Sequence, residues 1–204
     1  MKRLSKLLWV MWPLGCVPFV VLLWQGLSGA LGPDPAKTFV AQLGWWAFIG
    51  LLLTLSARPL ALWLKQPWLV ALRRTFGLLS FAYASLHLIA WAWLLLGWDV
   101  RYIGDELSKR PYIIVGVSAW LCLLPLAVTS TRNSRRKLGK KWVRLHKLIF
   151  PAVLLVLVHD FWIQKSGYTE QVVFALVLFV LLGWRLMEYY KRRKNAQLAA
   201  FSAR

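Results

Sequence analysis

Few residues in this chain could carry soluble chemistry. Its 204 residues include seven Asp and Glu, three His and two Cys. Cys16 and Cys122 both fall inside apolar runs, and neither CxxC nor CxxCH occurs. A disulfide framework and covalently attached haem therefore have no support, and the two thiols read as small buried hydrophobes. There is no HExxH, and no GxGxxG follows a strand, so these residues hold nothing that would bind a dinucleotide. Charged residues make up 16% of the chain, against about a quarter in an ordinary soluble domain.

Apolar residues are plentiful: 59% of the chain is hydrophobic and the mean hydropathy is +0.56. They gather into six runs near 8–28, 39–64, 75–97, 112–130, 142–163 and 170–190. Each is close to the length of about 20 residues that lets a helix cross hydrocarbon. Arg58-Pro59 shortens the second, which is expected to span 39–57. The first is too long for a removed leader, and "GLSGALGP" is a poor cleavage site, so it is expected to remain as a span. The fold class that follows is all-α and integral to the membrane: a six-helix transmembrane bundle forming one domain over residues 1–204, with no soluble domain.

The net charge of +19 is distributed by side rather than along a nucleic-acid face. The N-terminus, the 58–74 and 131–147 connections and the C-terminal segment carry 21 of the 26 Lys and Arg, and of the acids only Glu188. The connections around 29–38, 98–111 and 160–170 carry five basic residues and six acids. Short loops rich in Lys and Arg stay cytoplasmic, so both termini are expected inside and three short loops outside. Clusters such as Lys191-Arg192-Arg193-Lys194 then meet anionic lipid headgroups, and no nucleic acid is expected as a partner. Many of the fourteen tryptophans, among them Trp9, Trp24, Trp63, Trp98 and Trp162, sit near run ends, as an interfacial belt requires. The segment "WDVRYIGDELSKRPY" reads as a short amphipathic turn on the outer surface, either a docking patch or a solvated loop.

All three histidines, His87, His146 and His159, lie within the expected spans, where an ionisable side chain is costly and a functional role is the default reading. An interhelical hydrogen bond would explain one of them. His87 lies thirteen residues beyond Arg74, about 20 Å up the third span. In the fifth span His146 is about 6 Å from the inner boundary at Trp142, and His159 is about 25 Å from it. His87 and His159 therefore share a depth in the outer half, on two spans running in the same direction, while His146 has no histidine at its own depth. Two neutral imidazoles facing each other across a bundle suit bis-axial haem, an arrangement for electron transfer rather than oxygen binding. Zinc would want four ligands, and only Asp160 is adjacent. On a straight helix His146 and His159 would point about 140° apart, unless Pro151 kinks or unwinds the segment between them. One haem or two are both compatible with this. Arg73, Arg74, Arg144 and Lys147 are candidates for haem propionate contacts near the inner side, or are simply positive-inside flanks. Trp45, Trp46, Trp91 and Trp93 are candidates to line a flavin or quinone pocket, or simply to pack.

Three stretches carry a family resemblance: "RRTFGLLSFAYASLHL" at 73–88, "KRPYIIVG" at 109–116 and "TSTRNSRRKLGKKWVRLHKLIF" at 129–150, with "LGPDPAK" at 31–37 ahead of them. Together they resemble the MsrQ family, the haem-binding membrane subunits of the bacterial periplasmic methionine-sulfoxide reductase system, within the ferric-reductase-like transmembrane superfamily. The resemblance implies a multi-pass protein of the bacterial inner membrane that binds haem b, is associated with FMN, and has His87, His146 and His159 as haem residues. It implies electrons drawn from the quinone pool or a cytosolic flavin reductase and passed to a periplasmic molybdopterin enzyme that reduces methionine sulfoxide in oxidised proteins. On that reading the chain is an electron-transfer subunit and not the catalytic one. The wider superfamily usually has a second histidine in the third span, at the place where Arg73-Arg74 stand here. A free-standing ferric or cupric reductase using the same haems is the alternative, and a histidine-bearing transporter is a third reading.

Overall fold

The computed structural model describes residues 2–202, with side chains over 10–198. Nine α-helices occur in these residues, and no strand. They are α1 (Lys2–Leu27), α2 (Pro35–Trp63), α3 (Leu72–Ala90), α4 (Val100–Lys109), α5 (Pro111–Val128), α6 (Arg132–Leu138), α7 (Lys140–Leu145), α8 (Ile149–Ile163) and α9 (Thr169–Ser202). Six helical stretches among the described residues are long and apolar enough to cross a membrane: α1, α2, α3 with its flanking turns, α5, α7 continuing into α8, and α9. The short connections make successive spans antiparallel. The 58–74 and 131–147 connections therefore share one side, called here the basic end.

Local chemistry sets the boundaries. Asp34 caps α2, its Oδ1 accepting from the Lys37 backbone N–H at 3.2 Å, with Pro35 in the first turn where no N–H is needed. Asp99 caps α4 in the same way, and Pro111 opens α5. Arg58-Pro59 does not end the helix, because α2 runs on to Trp63. Nor does Pro151 break α8. It sits in the first turn, and the interruption comes just before it as a 3₁₀ turn over His146–Leu148. The segment "WDVRYIGDELSKRPY" contains the 10-residue helix α4 rather than a single turn.

The helix α2 is the central post. One apolar cluster joins its Phe48, Leu51, Leu52 and Leu55 to α5, α8 and α9 through Leu123, Ala152, Val153, Phe174 and Leu178. A second joins its Val40, Leu43 and Ala47 to α1 and α3 through Leu22, Tyr83 and Ala90. Against α3 the approach is close: a Cβ on Gly50 would lie 2.8 Å from that of Ser80, and the fully buried Ser80 hydroxyl donates to the Ala47 carbonyl at 2.7 Å. Small residues with a hydroxyl bond are how spans associate where lipid removes the hydrophobic drive. The Tyr83 hydroxyl enters the α1 ladder beside Pro18: it accepts from the Phe19 N–H at 3.1 Å and donates to the Gly15 carbonyl at 2.8 Å. This replaces the bond those two backbone groups would otherwise make. Trp120 of α5 donates to the Ser85 hydroxyl of α3 at 3.0 Å, tying the α2–α3 hairpin to the α5–α8 pair.

Candidate functional site

His87 projects from the last turn of α3 and His159 from α8, and the two meet. Their ring centroids are 6.3 Å apart and the ring planes cross at 85°. Each ring is held from behind by the preceding span of its own pair. The His87 Nδ1–H donates to the Val40 carbonyl of α2 at 2.8 Å, and the His159 Nδ1–H donates to the Tyr112 carbonyl of α5 at 2.7 Å. A carbonyl can only accept, so Nδ1 carries the proton in both neutral rings and Nε2 keeps a free lone pair. Beyond each carbonyl, one turn along, stands a glycine. A Cβ on Gly44 would lie 3.0 Å from His87 Nδ1, and one on Gly116 would lie 2.8 Å from His159 Nδ1. A π-helical turn over Trp91–Leu95 begins one helical turn after His87, a distortion often found near functional residues.

Two imidazoles fixed as donors through Nδ1 cannot hydrogen-bond to each other through their remaining nitrogens, which are both acceptors. Such a pair suits a Lewis acid shared between them. With each ligating nitrogen about 2.0 Å from a first-row metal and the ring centre about 1.1 Å further back, two imidazoles on one metal have centroids roughly 6 Å apart. The 6.3 Å found here fits that arrangement. Among the described residues no three His, Cys, Asp or Glu side chains cluster to hold a metal ion. The candidate donor set is therefore two imidazole nitrogens, which suits a metal whose other positions are filled by a macrocycle. Asp160 is half-buried and accepts from the Gln171 amide of α9 at 3.4 Å.

His146 is in different surroundings. It lies in the 3₁₀ turn at the basic end, so the phase of a straight helix does not relate it to His159. Its ring stacks on Trp142 at 3.8 Å, and its Nδ1–H donates to the Trp142 carbonyl at 3.1 Å. Both rings border a half-open cavity of about 670 Å³ lined by α2, α3, α5 and α6–α8. Arg73, Arg74, Arg132, Arg135 and Lys147 also line it, with Ser130, Thr131 and an apolar wall that includes Leu51, Phe81 and Leu123. No acid is among the lining residues. The Arg135 guanidinium lies 5.3 Å from the Trp142 ring centre, a cation–π contact. A concave, partly apolar cleft lined by five cationic residues could accept an anion with an apolar body.

The residues expected from the sequence are thus divided. His87 and His159 converge, whereas His146 is grouped with Arg73, Arg74 and Lys147. Arg144 is exposed and is not among the cavity residues. Trp45, Trp46, Trp91 and Trp93 do not line the cavity either: Trp45 packs edge-on against Trp46, Trp91 packs against the α1–α3 cluster, and Trp93 is 61% exposed. Sequence reasoning counted Arg132 and Arg135 only as loop charge, and passed over Val40, Gly44, Tyr112 and Gly116. A signal for the last four was present: Gly44 precedes His87 by the same 43 residues that separate Gly116 from His159. Arg185 of α9 was also missed; it donates to the Leu55 carbonyl at 2.9 Å from within the sixth span.

The model of the ferric reductase like transmembrane component matches residues 43–157, which contain His87 and His146 and stop two residues short of His159. A protein of Xanthomonas euvesicatoria pv. vesicatoria is 44% identical over 172 residues, covering 84% of this chain and 79% of its own length. One from Xanthomonas campestris pv. campestris is 42% identical over 184 residues, with 87% and 84% covered. One from Bordetella pertussis is 37% identical over 198 residues, with 96% and 94% covered. Each is named protein-methionine-sulfoxide reductase heme-binding subunit MsrQ. The chain belongs to the MsrQ family. It is a multi-pass protein of the bacterial inner membrane, of the ferric-reductase-like transmembrane type. No solved structure matches it.

Proposed function

We propose that this chain is the haem b electron-transfer subunit of a periplasmic methionine-sulfoxide reductase, with His87 and His159 as the axial pair. The observation that carries the reading is the convergence of the two rings at 6.3 Å, each with its Nδ1–H committed to a backbone carbonyl. A haem held by His87 and His159 would supply one-electron transfer. The protein residues supply a ligand cage whose tautomers are set by the Val40 and Tyr112 carbonyls. Such second partners fix ring orientation and raise ligand basicity.

The basic end is the cytoplasmic side on this reading, with both termini there, and the histidine pair lies toward the periplasm. The support is the charge count, with 21 of 26 Lys and Arg on one side. Electrons enter at the basic end from quinol or a flavin reductase. They leave at the other end to a molybdopterin-containing catalytic subunit. One haem sits between His87 and His159. His146 has no facing histidine, and Arg73 and Arg74 share its cavity instead. That cavity is the place for FMN: guanidinium groups suit its phosphate, and the stacked Trp142 and His146 suit its flat ring system. At about 20 Å along α3 from His87, Arg73 and Arg74 are too far off to hold the propionates of that haem.

The test is a reduced-minus-oxidised absorption spectrum of the purified protein, with haem and flavin quantified per chain. One low-spin haem and one flavin are expected. A colourless protein would defeat the electron-carrier reading and favour a transporter. Rapid reduction of ferric or cupric chelates by the chain alone, with no transfer to a methionine-sulfoxide reductase, would favour the free-standing metal reductase.

A further inference from the structure

The two histidine sockets are copies of one device. Val40, Gly44 and His87 occur in the order carbonyl, glycine one turn later, imidazole on the facing helix; Tyr112, Gly116 and His159 repeat it. The carbonyl and the histidine are 47 residues apart in both. We propose that Gly44 and Gly116 are positioning residues that set the plane of each imidazole and hold the two rings near perpendicular, making the haem a strongly anisotropic low-spin centre. This rests on the haem reading above and adds the electronic state that these residues impose.

An imidazole ring has two torsions. The hydrogen bond from Nδ1 to the carbonyl at the near turn fixes where one edge of the ring points. What remains is rotation about that edge, and the glycine one turn on governs it. A Cβ on Gly44 would lie 3.0 and 3.1 Å from Nδ1 and Cε1 of His87; on Gly116 the corresponding distances to His159 are 2.8 and 2.9 Å. The methyl group would meet the edge that makes the hydrogen bond. The ring would then have to turn or retreat from its carbonyl. With glycine in both places, each ring lies against the backbone of the preceding span, and the planes cross at 85°.

Ligand planes decide how the iron d orbitals split. Parallel imidazoles interact with one of the two π-type orbitals more than the other and separate them in energy. Perpendicular imidazoles treat both alike and leave them close together. Ferric iron then keeps much of its orbital angular momentum, and its low-temperature electron paramagnetic resonance spectrum is dominated by a single feature at unusually low field. The angle here is near its maximum, so rotation of either ring can only weaken that feature.

The experiment is that spectrum for oxidised, haem-loaded protein in detergent, with haem per chain quantified, for the parent and for Gly116→Ala, Gly44→Ala and Gly183→Ala. Gly183 lies on α9 with nothing within 4 Å of a Cβ, so its variant adds a methyl group to a span without touching a histidine. The expected result is the single low-field feature in the parent and in Gly183→Ala. It should shift toward an ordinary rhombic pattern in Gly44→Ala and shift further in Gly116→Ala, where the overlap is tighter. Glycines needed only for helix packing would lower haem content without moving the signal of the haem that remains, and that result would overturn the proposal. A rhombic parent spectrum would overturn it too, while leaving the haem reading intact. A parent without haem would remove both. If Gly116→Ala fails to accumulate, the milder Gly44→Ala decides: a shifted signal sustains the proposal and an unchanged one sinks it.

Discussion

The two ends of the bundle hold the same residue type in opposite surroundings. At the His87–His159 level the rings have backbone carbonyls and glycines for neighbours. At the His146 level the ring stacks on a tryptophan and borders a cavity lined by five cationic residues. The first environment commits both Nδ1–H groups and leaves both Nε2 lone pairs free; the second gathers cationic residues around a cleft. The comparison teaches that a histidine's role inside a membrane is decided by the partner of its other nitrogen and by the charge nearby, more than by its depth.

The most direct way to break the contrast is to remove a ring. His87→Ala or His159→Ala should lower haem per chain at least roughly tenfold, since loss even of an outer-shell partner costs ten- to a hundredfold. Pyridine haemochrome quantification checks it, and full haem in either variant would mean the pair is only packed edge to face. Next in size is the double variant Arg73→Gln, Arg74→Gln. A charge-assisted hydrogen bond is worth about 1.5–3 kcal/mol, so losing one should cost about tenfold or more in flavin retention while haem content stays the same. Loss of haem in that variant would assign the two arginines to propionates instead.

The fold class was legible in the sequence because hydropathy over long windows reports directly on hydrocarbon burial. The shared depth of His87 and His159 was legible because helical rise is constant. The break beside His146 was misplaced. Proline draws attention as a helix breaker, yet Pro151 sits in a first turn where its missing N–H has no consequence, and the 3₁₀ turn just before it marks the change. The cavity was not legible, since Arg132 and Arg135 are indistinguishable from positive-inside flanks until α6 and α7 are placed beside the same cavity as α3. The sockets were half legible: equal 43-residue spacings can be counted in the sequence, but nothing in it says that a backbone carbonyl is the partner.

A smaller effect sharpens the comparison at the basic end. His146→Ala should leave the haem spectrum unchanged and weaken flavin binding by roughly two- to tenfold, the range for loss of an aromatic contact of about 0.5–1.5 kcal/mol. Fluorescence titration of released flavin, beside the absorption spectrum, measures both. Loss of a second haem band would instead make His146 an axial ligand.

The smallest effect concerns charge at the opposite end. Lys109 and Asp105 of α4 form a 3.0 Å ion pair, but their side chains are 70% and 65% exposed. An exposed i,i+4 pair of this kind is worth about 0.3–0.5 kcal/mol, because water screens the attraction and two long side chains lose freedom in making it. Lys109→Ala should therefore shift the melting temperature by no more than about 2 °C and leave haem and flavin content unchanged. The same charge removed at Arg73 should empty a binding chamber. If thermal unfolding followed by haem absorbance showed Lys109→Ala to be as damaging as the arginine change, the charges of α4 would have to be part of the site, and the division between a neutral metal-binding level and a cationic anion-binding level would fail.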